Sequence, residues 1–186
     1  MLNIAVEELV PSQLLAIWRC AYPAEGEIYF PLKKGYSLRD LHSKLDLGVI
    51  ETAGALGPTW IILMAGNRFS SPCKRGHLFS WHYHPDGDTR FSIDDWIAFI
   101  ISKAQLTLLF TINYICLYVK FHEKKCKKIT KAIVGEENFL DDKPNLRFLR
   151  FMKFMSKELE KPDWTLCDES QIASTLGISY KKYAVK

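Results

Sequence analysis

The stretch W-H-Y-H-P-D-G-D-T-R-F-S-I-D-D-W, residues 81–96, places a helix start shortly after the end of a strand. Residues 77–84 form an apolar, histidine-containing run that is typical of a strand. The Pro-Asp-Gly sequence at 85–87 predicts a turn, because these residues favour turn conformations. Ser92 is a favoured N-cap residue and predicts a helix that runs to about Lys103. The segment therefore predicts a strand, a turn and a helix in succession.

Further strands are predicted on both sides of this segment. Upstream, residues 48–57 and 59–66 are rich in strand-forming residues, and Gly57-Pro58 separates them. Downstream, L-T-L-L-F-T-I and Y-I-C-L-Y-V-K-F predict a hairpin about Asn113. Strands mixed with helices in this order indicate an α/β or α+β domain.

The two ends of the chain are predicted to be mainly helical. Residues 12–20 form a short apolar stretch, and Ser37 is a favoured N-cap for a helix whose apolar face consists of Leu38, Leu41 and Leu45. Residues 145–160 carry a helical apolar stripe, and a last short helix is predicted over 170–176.

These patterns divide the chain into three regions that we expect to pack as one domain. They are a helical N-terminal extension over 1–47, a core over 48–121, and a basic, helical C-terminal extension over 122–186. The chain has 186 residues, of which 48% are hydrophobic, so it can bury a substantial core.

The cysteines favour a reducing compartment. The chain has five of them, none in a C-x-x-C pair, which argues against a disulfide framework. The first residues lack the basic and apolar regions of a signal peptide. We therefore expect a cytoplasmic protein, or one delivered to a host cytosol.

Residues 96–119 form the most apolar window, and their length would suffice to span a bilayer. Lys103, Gln105 and Asn113 interrupt the window. A buried helix followed by two strands fits the pattern better, and we expect no stable membrane span.

The histidines of the opening segment predict a metal site. Side chains alternate along a strand, so His82 and His84 lie on the same side and their imidazoles can converge on one ion. Asp95 lies in the first turn of the following helix, where a carboxylate can face the strand end; Asp94 is the competing ligand. Two histidines and one aspartate leave the fourth position for water, which is typical of a catalytic Zn²⁺ site. Ser92 is a candidate donor to an oxyanion.

The pattern H-x-H-P, six residues and then S-x-x-D resembles the JAMM (MPN-plus) metallopeptidases. The matching positions in this chain are His82, His84, Pro85, Ser92 and Asp95. That family also carries an upstream Glu in a strand reading E-x-x-G-x-L-x-G, which E-T-A-G-A-L-G at residues 51–57 resembles, with the last glycine one residue early.

The resemblance implies a fold, a reaction and a substrate class. The fold would be the cytidine-deaminase-like JAB/MPN mixed sheet flanked by helices. Glu51 would be the general base of a zinc-dependent peptidase or isopeptidase, with Glu27 as the alternative base. Ubiquitin or a ubiquitin-like protein would be the substrate.

Two other functions remain open at this point. The run of lysines from Lys120 to Lys131 is typical of a solvated helix face, but Lys124–Lys131 could also contact an acidic partner. A DNA-associated protein with the same metal core is therefore one alternative. A module that binds a ubiquitin-like protein without cleaving it is the other.

Overall fold

The computed structural model describes residues 3–45, 51–65, 77–135 and 144–185 of the chain. These residues form a mixed α/β fold with a seven-stranded mixed sheet flanked by helices. The strand order is β1-β3-β2-β4-β5-β6-β7. The strands are β1 (Phe30–Pro31), β2 (Thr52–Gly57), β3 (Trp60–Ala65), β4 (Phe79–Tyr83), β5 (Leu106–Phe110), β6 (Tyr114–Lys120) and β7 (Ile178–Ala184).

The described residues contain seven α-helices and two short 3₁₀ turns. The helices are α1 (Val6–Leu9), α2 (Leu15–Arg19), α3 (Leu38–Lys44), α4 (Ile93–Ile101), α5 (Glu123–Val134), α6 (Pro144–Leu159) and α7 (Glu169–Leu176). Within the described part of the chain, no helix is long and apolar enough to cross a membrane.

The chain divides into two compact units. The first consists of residues 1–89, 104–117 and 182–186, and the second of residues 90–103 and 118–181. The predicted division at 47 and 121 follows the sequence pattern and stays a prediction.

The centre of the first unit is the antiparallel ladder of β3, β2 and β4, with β5 added parallel to β4. Gly54 lies opposite Trp81 in this ladder. The Trp81 indole donates from Nε1 to the Ile62 carbonyl at 3.0 Å. A Cβ at Gly54 would lie 1.8 Å from that carbonyl oxygen and 2.7 Å from the indole nitrogen. Only glycine therefore fits at this position.

The predicted central elements are confirmed. Strands β2 and β3 are separated at Gly57-Pro58, and β4 lies within the predicted run. Ser92 caps α4 through a capping box with Asp95. Strands β5 and β6 are sheet neighbours joined at residues 111–113, as the predicted hairpin requires.

The predicted helix at Ser37 is also confirmed. The Ser37 hydroxyl accepts from the Asp40 amide, and Leu38, Leu41 and Leu45 are buried. Predictions for residues 46–50 and 66–76, including Cys73, lie outside the described residues.

The C-terminal region is not wholly helical, which corrects the prediction for 122–186. Helices α5, α6 and α7 are present, but β7 follows α7 directly and joins the edge of the sheet. Gly177 ends α7 in the left-handed conformation, at φ 73°. The strand was not predicted because its residues alternate apolar and polar only weakly.

The lysine run is not uniformly solvated. Lys124, Lys127, Lys128 and Lys131 are exposed on α5, but Lys120 is buried at the end of β6. Its ammonium donates to the carbonyl oxygens of Ser102 at 2.8 Å and Ile100 at 3.3 Å. Burial lowers the pKa of Lys120 to about 8. A cation at the last carbonyls of α4 compensates the negative end of that helix.

Candidate metal site

Strand register brings one glutamate and two histidines onto the same face of the first unit. Ala53 pairs with His82 in the antiparallel ladder of β2 and β4, and Thr52 pairs with Tyr83. Continuing this register by one residue puts Glu51 opposite His84. Opposed residues in antiparallel strands share a face, as do positions two apart on one strand. Glu51, His82 and His84 therefore belong to one face at one end of the ladder.

The side chains of these three residues form a compact group. One potential ligand atom from each lies within 4.8 Å of the other two. His82 Nε2 is 3.7 Å from Glu51 Oε2. The two imidazole rings are nearly perpendicular, with centroids 4.7 Å apart. Both histidines are buried and Glu51 is half-buried, so the group is largely shielded from bulk solvent.

The turn after β4 controls the tautomer of His84. Its Nδ1 lies 3.1 Å from the Asp88 carbonyl oxygen, which can only accept, so Nδ1 carries the proton. Nε2 of the neutral ring then carries the lone pair that a metal requires. The Asp88 amide in turn donates to the Asp86 side chain at 3.0 Å. The turn thus orients one potential ligand through a backbone hydrogen bond.

The donor chemistry of the group fits zinc. The two imidazole nitrogens are ligands that Zn²⁺ accepts at about 2.0–2.2 Å, and the Glu51 carboxylate beside them is placed to accept a proton from water. Ligand atoms on a tetrahedral ion lie about 3.4 Å apart, so modest side-chain rotations would bring the two imidazoles to bonding distance. Imidazole ligands also suit copper, iron and nickel.

No protein-family model, curated protein or solved structure matches this chain. The resemblance to the JAMM peptidases therefore stays a prediction that rests on the motif. The mixed sheet with flanking helices is compatible with it, and the JAB-specific fold is not established.

Ser92 and Asp95 belong to the second unit, where they form the first turn of α4. Asp95 Oδ2 accepts from the Ser92 amide at 2.9 Å and from the Ser92 hydroxyl at 2.6 Å. The Asp95 amide donates back to the Ser92 hydroxyl at 3.1 Å. The predicted cap is therefore present. The predicted roles of Asp95 as a ligand and Ser92 as an oxyanion donor stay predictions.

Glu27, the alternative base, lies in a different contact. Its two carboxylate oxygens are 3.0 and 3.1 Å from His77 Nε2, and Oε2 also accepts from the Ala24 amide at 2.8 Å. The His77 ring packs edge-on against Trp60. Glu27 thus contacts an imidazole and a backbone donor, whereas Glu51 belongs to the group with His82 and His84, which favours Glu51 as the candidate base.

Only some residues of this site could be predicted from local sequence patterns. The alternation along β4 indicated His82 and His84, whereas Glu51 was suggested only by the resemblance. The place of Glu51 opposite His84 follows from the register between β2 and β4, which the sequence alone does not display. The Asp88 carbonyl and the His77–Glu27 pair were not predicted, since both depend on loop conformations without a sequence signature.

Proposed function

We propose that this protein is a zinc-dependent peptidase or isopeptidase that hydrolyses an amide bond. The observation that carries the proposal is the buried group of Glu51, His82 and His84, with donor atoms within 4.8 Å of one another. The spacing of these residues with Ser92 and Asp95, which resembles the JAMM signature, supports a peptidase over other metal-dependent hydrolases.

Each residue has a proposed role in this reaction. His82 and His84 bind the metal through neutral imidazoles, and His84 is oriented by the Asp88 carbonyl. Asp95 is the proposed third ligand. Glu51 takes a proton from the attacking water and delivers it to the leaving amine. Ser92 donates a hydrogen bond to the oxyanion of the tetrahedral intermediate.

Bound zinc would supply Lewis acidity, polarising the carbonyl and lowering the pKa of water. The burial of His82 and His84 strengthens electrostatic interactions at the group, because nearby water is excluded. Glu51 immediately precedes β2, and its side chain keeps 17% exposure beside the two histidines, which supports its role as the base.

The proposed substrate is ubiquitin or a ubiquitin-like protein joined through its C-terminus to an amine. This part of the proposal rests on the resemblance alone. A non-cleaving module that binds the same partner is the competing function, and the same assay distinguishes the two.

The test is a cleavage assay with zinc-loaded protein on a panel of ubiquitin and ubiquitin-like fusions and chains. We expect cleavage by wild type and by His77→Ala, and none by His84→Ala. A chelator should abolish cleavage and added zinc should restore it. Binding without cleavage of any panel member, while zinc is bound, would overturn the peptidase in favour of the binding module.

A further inference from the structure

The second unit contains a groove whose lining is both cationic and aromatic. The groove has a volume of about 990 Å³ and lies where the start of α5 meets the turn between α7 and β7. Its lining includes Phe121, His122, Lys124, Lys125, Ser174 and Ser179. Serine, lysine and aromatic residues therefore line the same space.

The lysines extend beyond the groove as a row along α5. The buried face of this helix consists of Cys126, Ile129 and Ile133, which directs Lys124, Lys128 and Lys131 to solvent. Lys124 and Lys128 are four positions apart, which is a rise of about 6 Å along a helix. This spacing suits the successive phosphates of an extended strand, so one chain of phosphates could follow the row.

The aromatic part of the lining is held in place by the backbone. The amides of Phe121 and His122 both donate to the Gly177 carbonyl at 3.1 Å. Gly177 has φ 73°, and a Cβ there would lie 3.1 Å from the His122 Cβ. The rings of Phe121 and His122 pack edge-on, with centroids 4.8 Å apart. Phe121 is nonetheless 65% exposed, so a fixed apolar ring is presented to solvent beside cations.

We propose that this groove binds single-stranded nucleic acid. The ammonium groups of Lys124, Lys125 and Lys128 would bind phosphates, and the Phe121 ring would stack on an unpaired base. An acidic peptide would satisfy the lysines but gives no use for the exposed ring. A duplex offers phosphates, but its bases are already stacked on one another. The proposal is independent of the metal site and of its chemistry.

The test measures fluorescence anisotropy of short labelled DNA and RNA single strands with the full-length protein. With three phosphate contacts, raising the salt from 50 to 200 mM should weaken binding about 20-fold. Phe121→Ala should weaken binding by about fivefold or more. Tight binding of either the DNA or the RNA strand supports the proposal, and their ratio tells which one is preferred.

Matched variants control for charge and for lost apolar surface. Lys124→Gln with Lys128→Gln should weaken binding and flatten the salt dependence, whereas Lys153→Gln with Lys157→Gln, on the exposed side of α6, should change neither by much. Leu166→Ala removes an exposed apolar side chain elsewhere in the unit and should be neutral. Circular dichroism verifies that each variant is folded.

Three results would overturn the proposal. The first is that folded wild-type protein shows no salt-sensitive binding of single strands. The second is that it binds a duplex or polyglutamate as tightly as it binds a single strand. The third is that the α5 and α6 double variants lose the same amount of affinity. Equal affinity for polyglutamate would assign the groove to an acidic protein partner instead.

Discussion

Two histidine–glutamate contacts lie at opposite ends of the same stretch of chain around β4, and they differ in geometry. Before the strand, His77 Nε2 contacts both oxygens of Glu27 at 3.0 and 3.1 Å. Near the end of the strand, His82 Nε2 is 3.7 Å from Glu51 Oε2. The ring of His84, which follows the strand, packs against the ring of His82. The first is a close contact between one imidazole and one carboxylate, whereas the second is a looser group of three side chains.

The difference shows that residue type alone does not define a metal site. In the first contact one histidine meets one carboxylate at hydrogen-bond distance, so the two groups satisfy each other. In the second, two imidazoles and a carboxylate surround a common space, and the backbone of Asp88 sets the tautomer of His84. We therefore expect the first contact to contribute to stability and the second to chemistry.

The largest expected effect is on kcat, and it distinguishes Glu51 from Glu27. Glu51→Gln should lower kcat by about 10²- to 10⁴-fold, because the amide cannot accept the proton from water. Glu27→Gln should change kcat little. The measurement is turnover of the same ubiquitin-like fusion by zinc-loaded variants. A large loss with Glu27→Gln and none with Glu51→Gln would exchange the roles of the two contacts.

The free energy of unfolding should be affected in the reverse order, with a larger loss in Glu27→Gln than in Glu51→Gln. Glu27→Gln removes a charge-assisted hydrogen bond to His77 from a mostly buried position, which should lower the free energy of unfolding by about 2 kcal/mol. Glu51→Gln should cost less than this in metal-free protein, because the contact of Glu51 with His82 is longer, at 3.7 Å. Urea unfolding with chelator present measures both. Equal losses would remove the distinction between a close and a loose contact.

Lys120, a buried residue of the second unit, is a third case, because the partners of its ammonium group are neutral carbonyl oxygens. The pKa of Lys120 is lowered from 10.5 to about 8 by burial, so the unfolded chain binds more protons between these values. Stability should therefore rise from pH 8 to pH 10.5, relative to Lys120→Met, by roughly 2–3 kcal/mol. Urea unfolding across this pH window measures the difference. Parallel curves for the two proteins would show that Lys120 keeps its ordinary pKa.

The smallest expected effect concerns the turn that orients His84. Asp86→Ala removes the acceptor of the Asp88 amide and loosens the carbonyl contact with His84 Nδ1. Zinc affinity should fall about tenfold. Asp86→Asn retains a side-chain oxygen and should bind zinc almost as wild type does. Equal affinity of all three proteins in a competition titration would show that the turn does not hold the ligand.

Much of the fold could be predicted from local signals. The capping residues Ser37 and Ser92 indicated helix starts, and Gly57-Pro58 indicated the separation of β2 and β3, because each acts on its own neighbours in the chain. Strand β7 could not be predicted in this way, because its apolar and polar residues alternate only weakly and its place in the sheet depends on β6. Local patterns carry no information on which distant strand completes an edge.

The candidate site likewise has residues that local patterns predict and residues whose contacts depend on distant parts of the chain. His82 and His84 could be predicted to share a face because the period of a strand is local. The contact of Glu51 with them depends on the register between β2 and β4, and that of Glu27 with His77 joins positions fifty residues apart. Such pairings are determined by packing, which a single sequence does not display.

The most direct test of the central claim is the zinc content and affinity of wild type, His82→Ala and His77→Ala, measured by elemental analysis and a competition titration. We expect about one zinc per chain in wild type and in His77→Ala, and none in His82→Ala. Folded wild-type protein that never holds zinc, or zinc that is lost with His77→Ala and kept with His82→Ala, would contradict it.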